Sequence, residues 1–146
     1  MLFRSVLIHL LREIDLQWQF DLSQQVYQDL MALQPVIEKV IAARAQLKAR
    51  REKVSGADAE KIDEASKDLE SLEGGEGRQT PGPQPENLTG VRTSLLEMLA
   101  MLQEVDAAPT TQAAAAVPKL HQSVAALMEQ WHDVETKQLA PLEVRP

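Results

Sequence analysis

The chain has 146 residues, a net charge of −7 and no cysteine. That length suits one domain with a moderate core. The acidic balance argues against nucleic acid, whose phosphates call for a basic surface. The lack of cysteine excludes disulfides, thiol chemistry and thiolate metal sites.

Leu and Ala dominate the apolar residues, while aromatics are only two Trp, two Phe and one Tyr. Small and straight-chain residues lose least on entering a helix, and the β-branched residues never form an alternating run. The expected fold class is therefore all-α: an antiparallel three- to four-helix bundle with long first and last helices, made of two helical hairpins.

The N-terminal stretch Leu2–Leu11 starts like a signal peptide, but its apolar core Val6–Leu11 is short, holds His9 and is followed by no small-residue cleavage site. It also falls far short of the ~20 apolar residues that span a membrane. Leu2-Phe3-Arg4-Ser5 is what a short-read sequencing adapter encodes when translated. Residues 1–5 are thus expected to be an artefact, 1–14 an N-terminal remnant, and the chain the tail end of a longer protein.

The first periodic segment begins near Asp15. Leu22, Val26, Leu30, Leu33, Ile37, Val40 and Leu47 step by three, four or seven, one face of a helix about 55 Å long ending near Glu52. Pro35 lies inside it. Because the stripe keeps its phase there, a kink is expected and not a break. After Ser55-Gly56, with Ser55 and Asp58 read as a variant capping box, Ile62, Ala65, Leu69 and Leu72 carry a second helix to Glu73. The end of the first helix is basic and the second is acidic, so an antiparallel hairpin (15–73) sets opposite charges side by side.

Residues 74–86 read GGEGRQTPGPQPE, a Gly/Pro-rich linker. Asn87 then caps a third helix whose Leu88, Val91, Leu95, Met98, Leu102 and Val105 make a heptad seam. Pro109 suits the first turn of the last helix, in which Val117, Leu120, Val124, Leu127, Trp131 and Val134 share one face. Pro118 leaves two options, one kinked helix to Lys137 or a separate Ala113–Ala116 turn, and the single helix is preferred. These two helices form a second hairpin (87–137). Pro141 and Pro146 make 138–146 a loose tail, and 15–137 one bundle domain.

No chemistry-bearing pattern emerges. His9, His121 and His132 lack any HExxH-type spacing. Glu129 and His132 give a solitary Glu-x-x-His, whereas a di-iron bundle needs this motif on facing helices. No serine sits in a G-x-S-x-G context, and the Gly74–Gly77 cluster follows a helix and precedes prolines, unlike a phosphate loop. The catalytic, cofactor-binding and metal sites are therefore each read as none, and the chain as no enzyme. Trp131 continues its helix stripe and is read as core. Trp18 and Phe20 lie off the main stripe of the first helix and are the candidate interdomain or partner contacts. An interfacial membrane helix carries Lys and Arg on its polar face, which only the end of the first helix does, so membrane contact is not expected.

The order of segments also carries a resemblance. Asp15-Leu16-Gln17-Trp18-Gln19-Phe20-Asp21-Leu22 opens a long helix ending in Ala42-Ala43-Arg44-Ala45-Gln46-Leu47. A short acidic helix, a variable loop and a Leu-rich helix follow, then Val105-Asp106-Ala107-Ala108-Pro109-Thr110-Thr111-Gln112 and a last helix with Trp131. This resembles the C-terminal helical region of large bacterial proteins with sortilin-like, BNR (Asp-box) repeat β-propellers, often labelled glycosyl-hydrolase-like. The likeness covers roughly residues 15 to 140. Two departures are the missing strand-rich module in residues 6–14 and Pro141-Leu142-Glu143 where the family often has Asn.

The resemblance implies a non-catalytic C-terminal packing or protein-interaction domain of a secreted or periplasmic protein. Its partner would be the upstream β-propeller of the same protein or another protein, with any hydrolase site on the propeller. The alternative is a free-standing helical adaptor that self-associates or binds partner helices.

Overall fold

A computed structural model of the chain describes residues 2–74, 86–104 and 110–144. These residues form four α-helices, α1 (Leu2–Arg51), α2 (Ala57–Glu73), α3 (Leu88–Glu104) and α4 (Thr111–Val134), and a π-helical segment, Glu135–Leu139. The all-α bundle stands. The linker residues 75–85, and Val105 and Pro109, lie outside the described residues.

Helix α1 has 50 residues and so extends about 75 Å. Its start corrects the expected beginning of the first helix, because helix begins at Leu2 and not near Asp15. The residues there are good helix formers but apolar on all sides, so helix forms without a face that periodicity could show. The helix continues through Pro35, which lies on the exposed side. The carbonyl of Met31, also exposed, loses its partner there on the side open to water.

Contacts between helices fix the topology. Arg44 pairs with Glu73, and Arg51 Nε donates to Asp63 at 2.9 Å, so α2 runs antiparallel to α1. Gln19 Nε2 donates to the Leu102 carbonyl at the far end of α3. Helices α2 and α3 therefore follow one another along α1, each antiparallel to it. On the other side His121 reaches Asp29, and Arg50 reaches the carbonyls of Leu142 and Glu143, so α4 and the segment after it run parallel to α1. Both expected hairpins are present and share one core. The Arg51–Asp63 pair is exposed, worth ~0–1 kcal/mol, while Arg44–Glu73 is half-buried; both select the pairing of α2 with α1.

The core of α1 is a ladder of Val26, Asp29, Leu33, Val36, Val40, Ala43 and Leu47, stepping 3 and 4 in turn. Leu22, Leu30 and Ile37 flank it, only partly buried. Opposite are Ile62, Ala65, Leu69 and Leu72 of α2, Leu88, Val91, Leu95, Met98 and Leu102 of α3, and Val117, Val124, Leu127 and Trp131 of α4. Every described member of the expected α3 seam is buried, and so is Trp131.

Helix ends follow local chemistry. Asn87 Oδ1 accepts from the Gly90 amide at 2.7 Å, the expected cap. Thr89 Oγ1 donates to the Glu73 carbonyl at 2.7 Å and ties the start of α3 to the end of α2. Thr110 Oγ1 caps α4 by accepting from Ala113 at 3.1 Å. The expected Ser55 cap is not formed. Gly56 is the N-cap of α2, at φ 75°, a conformation glycine adopts without a Cβ penalty, and no side chain bonds there. Helix α4 continues through Pro118 as one helix.

The C-terminal segment is the largest correction. Residues 138–146 were expected to be loose, yet Leu139 and Val144 are buried in the core. The Ala140 amide bonds the Glu135 carbonyl at 2.9 Å, a π-type bond. Pro141 follows where the regular ladder has already been given up, so its missing N–H costs little. Glu143 then takes φ 58°. The Val144 amide returns to Leu139 O at 3.0 Å and the Glu143 amide to Ala140 O at 3.0 Å. This is a Schellman stop, and its two apolar residues, Val144 and Leu139, both lie in the core.

Candidate interaction surface

The bundle ends near Gln19, where α3 finishes against α1. Upstream, α1 projects as an arm of about 25 Å, Leu2–Trp18. Its sequence places apolar side chains around the whole helix, a composition usual for a buried helix. Here they face outward: Leu2, Phe3, Val6, Leu7, Ile8, Leu10, Leu11, Ile14 and Leu16 are all exposed. Trp18 and Phe20, the contacts expected from the sequence, stand at its base, 41% and 58% exposed.

At 100° per residue, Leu7, Leu11, Ile14 and Trp18 fall on one side of the arm, with Phe3 and Leu10 at its edge. Their steps of 4, 3 and 4 run on through Leu22 into the core ladder at Val26. The side that packs the bundle thus continues upstream, where among the described residues no helix covers it. His9 Nε2 lies 3.1 Å from Glu13 on the side of the arm away from this ladder, an exposed pair one turn apart.

A second feature lies within the bundle. Asp29 fills a rung of the α1 ladder at 4% exposure, the one buried charged residue among those described. Its Oδ1 lies 2.8 Å from His121 Nδ1 and 3.3 Å from Gln25 Nε2. Gln25 Nε2 is also 3.1 Å from His121 Nδ1. One ring nitrogen cannot both donate to the carboxylate and accept from the amide. Since the carboxylate only accepts, Nδ1 carries the hydrogen toward Asp29, and the Gln25 amide donates to Asp29 as well. Asp29 Oδ2 is buried without a partner.

His121 makes this contact from an exposed position, and neither Asp29 nor Gln25 stands in a motif that marks it. The available signal was positional: Asp29 is the only charged residue on the 3–4 ladder. The group has one imidazole, one carboxylate and one amide, and it joins α1 to α4. Among the described residues no three His, Asp or Glu side chains gather where they could hold a metal ion.

The cleft between α1 and α2 is an open groove of about 610 Å³ lined by Arg44, Lys48, Arg51, Asp63, Ser66 and Glu70. It carries both signs of charge, and Arg44 and Arg51 already hold carboxylates. It therefore favours neither an anion nor a cation. No described helix is long and apolar enough to cross a membrane. No protein-family profile, curated protein or solved structure matches the chain.

Proposed function

We propose that the chain is a non-catalytic helical module that acts by protein contact, with the arm of α1 as its contact surface. The observation that carries this reading is the exposed apolar arm continuing, without a helix break, the side of α1 that packs the core. Contiguous exposed apolar surface beyond a few hundred Å² marks an interaction site in most soluble proteins. The likeness to the helical ends of propeller proteins would make the covering partner a β-propeller, with the module packed against it outside the cytoplasm. The regular 4-3-4 spacing of the arm favours a helical partner instead.

The reading is tested with the double variant Leu11→Asp/Ile14→Asp. Both side chains lie clear of the bundle, so in dilute solution its urea midpoint should match wild type within about 0.5 kcal/mol. Retention of the wild-type chain on a phenyl matrix should be lost in the variant. A destabilisation of about 2 kcal/mol or more would show that the arm packs on its own chain. Unchanged retention would remove the arm as the contact surface.

A further inference from the structure

We propose that the arm of α1 pairs with the arm of a second copy of this chain, the two helices lying antiparallel; this rests on reading the arm as a contact surface. Extent is the first support. The exposed apolar residues from Leu2 to Phe20 present on the order of 1,000 Å², beyond the largest patch of an ordinary monomer. Covering half of that on each copy buries on the order of 1,000 Å² in all, the size at which specific interfaces begin.

Spacing is the second support. Leu7, Leu11, Ile14 and Trp18 make a coiled-coil ladder. An antiparallel register sets Leu7 opposite Trp18 of the second copy and Leu11 opposite Ile14 of the second copy. The contacts repeat on the other side of the two-fold axis, as a closed dimer requires.

Charge chooses the orientation. Arg4, His9 and Arg12 lie in the first part of the arm, Glu13 and Asp15 in the second, and Asp21 just past its base. A parallel pair would face like charges with like. The antiparallel register sets the basic part against the acidic part, with Arg4 opposite the exposed Asp21 of the second copy. The helix dipoles also oppose. A lipid surface fits less well, because interfacial helices carry a polar face rich in Lys and Arg, whereas this arm has two arginines, offset by two carboxylates, and no lysine.

The test is sedimentation velocity of the full chain over a range of concentrations, with phosphatidylcholine/phosphatidylglycerol vesicles as a separate arm. The expected result is a reversible, elongated dimer, weakened roughly tenfold by Arg4→Glu and abolished by Leu11→Asp/Ile14→Asp. The chain has no cysteine, so a spin label on Ser5→Cys is unique. Antiparallel arms hold the two labels about 25 Å apart, and parallel arms about 10 Å.

A monomer at every concentration, a parallel label distance, a dimer that survives the double aspartate variant, or a monomer that binds vesicles would overturn the pairing. A monomer still retained on the phenyl matrix through Leu11 and Ile14 overturns the pairing alone. A monomer that is not retained overturns the contact reading with it.

Discussion

Ending the chain at Gln138 is expected to destabilise the bundle by about 4 kcal/mol, seen as a fall in the urea midpoint. The loss has named sources. Leu139 and Val144 are buried in the core, and burying a side chain of this size is worth about 1.5–3 kcal/mol. Their removal also opens a cavity, which adds to the transfer term. Arg50 loses the carbonyls of Leu142 and Glu143, the two acceptors that hold the end of the chain on α1. A loose tail would predict no change. A truncated chain within about 0.5 kcal/mol of wild type would therefore contradict the folded-back segment.

The second large effect is an asymmetry at Asp29. His121→Ala removes the nearer of two donors from a buried carboxylate that already has one unpartnered oxygen. The cost is expected at about 2 kcal/mol, because a charged acceptor is left short of partners while Gln25 remains. Asp29→Leu should act in the opposite direction. It fills the rung with an apolar side chain and removes the buried charge, a replacement that is often neutral or stabilising.

The double variant should then be close to Asp29→Leu alone, since without the carboxylate the histidine holds nothing. Urea denaturation of the two single variants and the double variant measures this cycle. Equal losses in both single variants would show that the pair is a net source of stability. The predicted pattern instead makes it a positional lock that sets α4 against α1 at some cost.

How much of this was legible in the sequence depends on whether a residue obeys a period. The α3 seam from Leu88 to Leu102 was fully legible, since its 3–4 spacing is strict and Asn87 marks its start. Trp131 was legible for the same reason, whereas Trp18, expected off the main stripe, continues the core face through Leu22, and only Phe20 lies away from it. Asp29 was not legible, because a carboxylate at a core rung reads as a surface residue until the helices opposite it are known. Periodicity therefore drew the α1 face through Val26, Leu33, Val40 and Leu47, which are buried, but also through Leu22, Leu30 and Ile37, which only flank the ladder.

The start of α1 was missed because residues apolar all round give no moment to detect. The C-terminal fold-back was missed because Pro141 reads as a stop, while the π turn that accommodates it depends on tertiary packing of Leu139. The chemistry of the arm was in plain view, but its exposure was not. Sequence shows that Leu7, Leu11 and Ile14 are apolar, and only the placement of α3 and α4 shows that nothing among the described residues covers them.

The central claim is that the bundle ends near Gln19 and the arm stands apart from it. Amide hydrogen exchange along α1, in the Leu11→Asp/Ile14→Asp chain where the arm has no partner, tests this most directly. A step is predicted: amides before about Trp18 should exchange on the order of a thousandfold faster than those of Val26–Leu47, whose opening needs the core to unfold. Uniform protection from Leu2 to Leu47 would contradict the claim, because it would mean that the arm is held by the bundle itself.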